Sequence, residues 1–231
     1  LSGLVRFPNA EAPLELEFDH IVLNSAAEGL ESANLSVQAV PASQKPGAES
    51  SVDPREIPAL SFSTKKLVLD GTNYGAWSTV LKPEEFGVRF QNLQGNIAGT
   101  QLAGQLNWQL LDGQANSILT MDLKGDKIDN FLQAIDKPKV LSSKQMSANV
   151  AWVWPDHPFN FDADKLSGSL KLDLKEGFLK TPDKKTGALR LLGIFNAEAL
   201  GRRLKLDFSD IYKSGIGYDD LTVNATIDQG V

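Results

Sequence analysis

The chain has 231 residues, of which 42% are hydrophobic, enough to bury a sizeable core and too many for a disordered tail. Its formal net charge of −6 argues against a nucleic acid partner, because phosphates require a basic face. The absence of cysteine excludes disulfides and thiolate-held metal ions.

The sequence begins at Leu1 and ends at Val231 inside an alternating pattern, so we expect it to be a fragment of a longer chain. No run within it reaches the ~20 consecutive apolar residues of a membrane-spanning helix. We predict a single module over residues 1–231, because strands of one style recur along the whole length.

Alternation of apolar and polar residues dominates the chain and predicts strands with one apolar face. It begins at Leu14, Leu16 and Phe18 and returns at Leu67 and Leu69. Later runs place apolar residues at Leu106, Trp108 and Leu110, at Leu119, Met121 and Leu123, at Leu170, Leu172 and Leu174, and at Leu221, Val223, Ala225 and Ile227. Between the first two runs, residues 41–58 are rich in Pro, Ser, Ala and Glu and predict a long mobile loop.

Asp-Gly pairs mark the turns between strands. Asp70-Gly71 and Asp112-Gly113 supply the positive φ angles of type I′ hairpins, so neighbouring strands should pair antiparallel. Glu176-Gly177 is expected to turn the strand that ends at Leu174 back on itself. The sequence therefore predicts a mainly β fold, a long curled antiparallel sheet that forms a groove and is apolar on one side.

Two segments follow helical rather than strand periodicity. In residues 126–135 the apolar residues recur at i, i+3, i+4 and i+7, with Asp126 as the predicted N-cap and Pro138 as the terminator. In residues 186–204 the same spacing is interrupted at Gly193, which predicts one kinked helix or two short ones.

Residues suited to catalysis are few. His20 and His157 lie far apart and have no ligand-spaced neighbours, so we expect packing or solvated roles for both. Adjacent carboxylates such as Asp219 and Asp220 would point to opposite faces of a strand and could not act together. No serine-hydrolase, phosphate-loop or zinc-protease motif is present. We therefore predict a protein that is not an enzyme and has neither cofactor nor metal site.

A charged segment follows the second helical region. Arg202, Arg203 and Lys205 suit either contact with anionic lipid head groups or the C-terminal end of a helix, and we favour the second interpretation. Asp207 and Asp210 are expected to cap a turn or to pair with the arginines.

From about residue 125 to residue 231, an ordered series of motifs resembles the C-terminal region of YhdP-like proteins, large bacterial envelope proteins of the AsmA-like family. The series consists of Trp154-Pro155 after a strand, Gly168 and Gly177 in and after the next strand, Leu192-Gly193 in a helix, then Arg202, Arg203, Leu204, Asp207, Phe208, Asp210, Gly215 and Asp219. Lys184 to Gly187 and Tyr218 depart from the family pattern.

The resemblance implies a setting for the fragment. Such proteins are similar to a long β-groove that is anchored in the inner membrane, crosses the periplasm and moves phospholipid between the inner and outer membranes. The fragment would then be a periplasmic part of an anchored protein, with phospholipid as its ligand and membrane contact only through the full-length chain. Partners among other envelope proteins are left open.

Two functions fit these observations. In the favoured hypothesis, the apolar face holds phospholipid acyl chains. The residues expected to line it are Leu106, Trp108, Leu110, Leu119, Met121, Leu123, Val150, Trp152, Trp154, Leu170, Leu172 and Leu174. In the alternative, the sheet buries that face against itself or partner strands and acts as a structural scaffold of the envelope. An unrecognised hydrolase is a third and less favoured hypothesis.

Overall fold

The computed structural model describes residues 2–7, 14–23, 52–179 and 216–230. Strands make up 67% of these residues and form an open, strongly curled half-barrel. The strands are β1 (Ser2–Arg6), β2 (Leu14–Leu23), β3 (Leu60–Thr64), β4 (Leu67–Leu69), β5 (Thr72–Asn73), β6 (Ala76–Glu84), β7 (Gly87–Ile97), β8 (Thr100–Leu111), β9 (Gln114–Gly125), β10 (Leu141–Ser142), β11 (Gln145–Pro155), β12 (Ser167–Leu179) and β13 (Ile216–Ile227). The described ranges also contain the helix α1 (Ile128–Ala134) and two 3₁₀ turns, Pro54–Glu56 and Ala163–Lys165.

The strands form one sheet, whose long members follow the order β2-β3-β6-β7-β8-β9-β11-β12, with β1 beside β2 and β13 beside β12. The predicted curled antiparallel sheet is confirmed. Two pairings differ, because β2 runs parallel to both β3 and β4. Parallel neighbours need a crossover connection instead of a hairpin, and the chain between β2 and β3 is long enough to supply one.

Three interruptions bend the sheet without changing its register. The strands β3 and β4 keep one register against β2, and β10 and β11 keep one register against β12. The hairpin of β4 with β5 likewise continues the pairing of β3 with β6. The short strands are therefore extensions of longer ones, and each face of the sheet continues across the bends.

Tight turns join most of the central strands, as the Asp-Gly pairs predicted. Asp70 (φ 49°) and Gly71 (φ 79°) connect β4 to β5, and Asp112 (φ 51°) and Gly113 (φ 78°) connect β8 to β9. A third turn of the same kind, at residues 98 and 99 with φ 49° and 87°, joins β7 to β8. Its first position is alanine, which rarely adopts positive φ, so the sequence did not indicate this turn.

The prediction that Glu176-Gly177 reverses the chain is wrong. Strand β12 continues through this pair, and Lys175 and Gly177 stay in register with Asp220 and Tyr218 of β13. Glu176 has a φ of 49°, which bends the strand locally. Gly177 does not adopt a positive φ, so the pair lacks the second positive φ that a type I′ turn requires.

The helix predicted at residues 126–135 is present but shorter, and its N-terminus differs from the prediction. Lys127 occupies the N-cap position and makes no side-chain capping bond. The hydroxyl of Ser143, from the chain beside β10, accepts a hydrogen bond from the backbone N–H of Ile128 at 3.3 Å. A residue distant in sequence therefore caps the helix in place of Asp126, which local sequence patterns do not reveal.

The helix also ends before Pro138, by a different mechanism. Asp136 adopts a φ of 55°, and its N–H donates to the carbonyl of Gln133 at 3.1 Å. The N–H of Lys137 donates to the carbonyl of Leu132 at 2.7 Å. These two bonds form a Schellman motif with aspartate at the position that glycine usually occupies.

The predicted loop at residues 41–58 is described only from residue 52 onward. There Asp53 caps a 3₁₀ turn by accepting a hydrogen bond from the backbone N–H of Arg55 at 2.9 Å, and Pro54 is fully buried. The helix predicted at residues 186–204 lies outside the described residues.

Candidate functional site

The apolar residues of alternate strand positions meet on the inner side of the curl, which we call the concave face. One rung of this face joins Leu106, Leu119 and Trp152 across β8, β9 and β11. The backbone pairing also puts the other predicted lining residues on this side, so all twelve share one face. The residues that define the face are Leu106, Trp108, Leu110, Leu119, Met121, Leu123, Val150, Trp152, Trp154, Leu170, Leu172 and Leu174. Their contact with lipid remains a prediction.

Exposure divides these twelve residues into two groups. Eight have at most 8% of their surface exposed: Leu106, Trp108, Met121, Leu123, Val150, Trp154, Leu172 and Leu174. Four are half-buried: Leu110, Leu119, Trp152 and Leu170. The half-buried group marks the part of the concave face that a ligand can reach with the least rearrangement.

Sequence reasoning missed part of the same face. Further buried residues on it are Ile97, Leu102, Met146, Ala148, Val223 and Ala225. Leu102 extends the run of Leu106, Trp108 and Leu110 by its period, and Val223 and Ala225 belong to an alternating run that the predicted lining set left out. Trp77 on β6 was also missed; its ring lies over Gly95 of β7, where a Cβ would be only 2.9 Å from the indole. Only the strand pairing reveals that contact.

The helix α1 covers one end of the concave face. Ile128 is 4% exposed and belongs to the largest buried cluster, beside Ile97 and Met146. Phe131 and Leu132 pack against the same cluster. The i, i+3, i+4 periodicity therefore serves to turn one apolar stripe of α1 toward the sheet.

Residues 156–166, which connect β11 to β12, lie over the opposite end, and we call them the covering segment. The ring of Phe161 contacts Trp154 edge-on, with ring centroids 5.5 Å apart, and lies 6.0 Å from Trp152. The His157 ring lies 6.1 Å from that of Trp108. The predicted packing role of His157 thus corresponds to a contact with the concave face.

Asp156 fixes the start of the covering segment. Its backbone carbonyl accepts a hydrogen bond from the Ser117 hydroxyl at 2.9 Å, and its N–H donates to the carbonyl of Ala115 at 2.7 Å. Its carboxylate accepts from the N–H of His157 at 2.7 Å and from the Asn160 amide. The φ of 84° at Asp156 is unusual for a residue other than glycine and is maintained by these contacts. The Trp154-Pro155 motif therefore leads directly into a segment whose conformation is fixed by hydrogen bonds.

Replacing Asp156 by alanine should lower the free energy of unfolding by about 1–2 kcal/mol, because both carboxylate contacts are lost. Partial burial raises the pKa of Asp156, but the hydrogen bonds from Asn160 and His157 outweigh it and hold the pKa below 3.8. This contribution is therefore complete above the unfolded-state pKa and is lost as the pH falls through the folded-state pKa. Urea unfolding of wild type and variant between pH 7 and pH 3 measures it.

Asp156→Asn is the matched control. Asparagine tolerates positive φ and keeps an oxygen that accepts from His157, so most of the stability at pH 7 should remain. Asparagine does not titrate, so the Asp156 share of the pH dependence should disappear. Equal stability of all three proteins at pH 7 would contradict the structural role of the carboxylate.

The indole N–H groups of the four tryptophans divide evenly. Trp77 donates to the Tyr74 carbonyl at 2.8 Å, and Trp154 donates to the His157 carbonyl at 3.4 Å. The indole nitrogens of Trp108 and Trp152 are buried and have no acceptor among the described residues. The two unpaired donors lie on the concave face, at the end beneath the covering segment.

The convex face is mostly polar, with single exposed apolar residues such as Leu111 and Val153. The amide of Asn149 donates to Asp122 at 2.5 Å, and the hydroxyl of Thr222 donates to Asp173 at 2.7 Å. Lys171 also pairs with Asp173 at 3.5 Å. These side chains remain in water, so period-2 alternation separates an apolar concave face from a hydrated convex face.

Within the described ranges, no cluster of histidine and carboxylate side chains is arranged to hold a metal ion. His20 is an exposed residue of β2. No helix in the described part of the chain has the length and hydropathy needed to cross a bilayer.

Few of the residues chosen for the family resemblance are described. Trp154 and Pro155 end β11, Gly168 and Gly177 lie in β12, and Asp219 is an exposed residue of β13. The remaining motif residues, which include the expected capping aspartates and the basic cluster, lie outside the described residues: Leu192, Gly193, Arg202, Arg203, Leu204, Asp207, Phe208, Asp210 and Gly215.

The chain is similar in sequence to proteins of one known family. The family model described as "YhdP protein" matches residues 1–231. A curated relative, the intermembrane phospholipid transporter YhdP of Escherichia coli (strain K12), is 26% identical over 133 residues. That match covers 57% of this chain and 10% of the relative, so the chain corresponds to a small part of the relative's length. No solved structure matches significantly.

Proposed function

Because the chain belongs to the YhdP protein family, we propose that it is a non-enzymatic lipid-transfer module whose concave face carries phospholipid acyl chains. The observation that carries this proposal is the continuous apolar concave face of a curled sheet whose convex face is mostly polar. The relative's name, an intermembrane phospholipid transporter, supports phospholipid as the ligand. The proposal includes a periplasmic location within a longer protein anchored in the inner membrane.

The physical role of such a face is passive. Each CH₂ group moved out of water contributes about 0.8 kcal/mol, so a ~16-carbon tail gains on the order of 10 kcal/mol. A bilayer offers a similar gain. The groove would therefore lower the barrier to crossing water and leave the direction of transfer to other parts of the system.

The scaffold alternative also has an observation in its favour. Eight of the twelve lining candidates are at most 8% exposed, as expected if the sheet buries its concave face for stability alone. The two functions differ in what they require of the half-buried residues Leu119, Trp152 and Leu170. A carrier needs these side chains to contact a ligand, and a scaffold does not.

A photo-crosslinking residue at Leu170 should capture phospholipid when the full-length protein is expressed in cells. Leu170 is half-buried on the concave face, and Lys171 next to it is exposed on the convex face. Crosslinking at Lys171 should capture none, because successive strand residues point to opposite sides. The measurement is mass spectrometry of lipid attached to each purified variant.

Both variants must first show the wild-type melting temperature. Equal capture at the two positions, or capture at neither, would contradict the carrier hypothesis. Capture of protein strands at Leu170 with no lipid would support the scaffold.

A further inference from the structure

We propose that the indole N–H groups of Trp108 and Trp152 form a polar subsite that binds acceptor oxygens of the phospholipid, ester carbonyl or phosphate oxygens. The inference rests on the proposed function and adds a fixed position for the lipid's polar end. It places that end beneath the covering segment, with the acyl chains extending toward α1.

The indole N–H donors of Trp108 and Trp152 lack hydrogen-bond acceptors among the described residues. An indole nitrogen is a donor only, and a buried tryptophan normally finds an acceptor for it. Trp108 is 7% exposed, yet its nitrogen has no acceptor among the described residues, and neither has that of Trp152. Trp154, which lies beside them, and Trp77, which lies toward α1, both have carbonyl partners. The deficit is therefore confined to two donors on one part of the concave face.

Trp108 and Trp152 lie on adjacent rungs of the concave face. Trp108 pairs across the sheet with Ser117, which pairs with Trp154, and the next inward rung contains Trp152. The Ser117 hydroxyl donates to the Asp156 carbonyl, and neither indole N–H is hydrogen-bonded to it. Both unpaired donors thus lie on a mainly apolar part of the face, and neither is hydrogen-bonded to the polar groups near it, Ser117 and His157.

A ligand can reach the two indoles if the rings that cover them move. The covering segment reaches the two tryptophans through single rings, His157 over Trp108 and Phe161 beside Trp152. Phe161 is 48% exposed and His157 is half-buried, so both rings are only partly packed. Outward rotation of these rings would uncover the indoles without breaking the hydrogen bonds of Asp156.

The length of the face fits a lipid held in this orientation. Along β8, the residues from Trp108 to Leu102 span six strand positions, which is roughly 20 Å. The intervening concave positions are apolar or glycine, with Leu106 and Leu102 on β8 and Leu119 and Leu123 on β9. An acyl chain would meet no charge along this path.

Indole N–H resonances of the 231-residue chain labelled with ¹⁵N-tryptophan test the subsite directly. The four signals are assigned by single Trp→Phe variants, which keep an aromatic ring. On addition of monomeric dihexanoylphosphatidylcholine, we expect the Trp108 and Trp152 signals to shift downfield and exchange more slowly with water. The Trp77 and Trp154 signals should shift less, because their N–H groups already have acceptors. Each of Trp108→Phe and Trp152→Phe should weaken binding about two- to tenfold.

Three probes identify the oxygen. Hexane has no acceptor and should leave both signals in place. Tributyrin carries ester carbonyls without phosphate, and glycerophosphocholine carries phosphate without carboxylic esters. The probe that shifts the Trp108 and Trp152 signals therefore identifies which lipid oxygen accepts the indole N–H. Binding of the phospholipid with unmoved Trp108 and Trp152 signals, or with equal shifts of all four, would overturn the subsite and leave the proposed function intact. Absence of phospholipid binding by equilibrium dialysis would overturn both.

Discussion

Replacing Leu174 by alanine is expected to lower the free energy of unfolding by about 2–5 kcal/mol. Leu174 is 1% exposed and is the largest of the fully buried side chains in the described part of the chain. It pairs with Met146 of β11 and Leu221 of β13, so truncation leaves a cavity where three strands meet. The cost combines the lost burial of the side chain with the lost contacts of the cavity walls.

The measurement is urea unfolding followed by tryptophan fluorescence, with Leu111→Ala as the control. Leu111 is a strand residue of the same type that is 40% exposed, so its truncation should cost less than about 1 kcal/mol. Equal losses in the two variants would show that the concave face is not the stabilising core of the fragment.

Replacing Gly177 by alanine is expected to destabilise the fragment by about 1–3 kcal/mol or more, by overpacking. A Cβ at this position would overlap the backbone carbonyl oxygen of Ser142 and lie 2.5 Å from the Tyr218 hydroxyl. That hydroxyl donates to the same carbonyl at 2.5 Å. Burial raises the pKa of Tyr218 to about 12, so the donor stays protonated at neutral pH. The methyl group must displace either the backbone of β10 or this hydrogen bond.

Gly217→Ala provides a control on the adjacent strand. A Cβ there would lie 3.4 Å from the Phe178 ring, an ordinary contact, so the melting temperature should stay close to that of the wild type. A melting temperature for Gly177→Ala equal to that of Gly217→Ala would show that β10 adapts freely. It would also remove the steric explanation for glycine at position 177.

The sheet could be predicted from sequence because its physical cause is local. The alternation in β8, β9, β12 and β13 results directly from side chains pointing to opposite faces, and each Asp-Gly pair supplies the φ angles of its own turn. Strand β7 was not predicted, because a bulge next to Asn92 (φ 50°) adds one residue to it and shifts its alternation.

Features that depend on distant residues were predicted wrongly or missed. The cap of α1 comes from Ser143, and the parallel pairing of β2 depends on where the chain returns. The predicted lining residues share a face because period 2 requires it. Their degree of exposure depends on α1 and on the covering segment, which alternation does not reveal.

The loops between paired strands are short in the central hairpins and long at the margins of the sheet. Strands β6 to β9 join through tight turns, whereas β12 and β13 meet across residues 180–215 and β2 and β3 across residues 24–59. Closing a longer loop costs more conformational entropy before the paired strands compensate for it. The hairpins should therefore form an early folding nucleus, and their amides should exchange with deuterium last. The margins should open first, so the width of the groove can change while its middle stays folded.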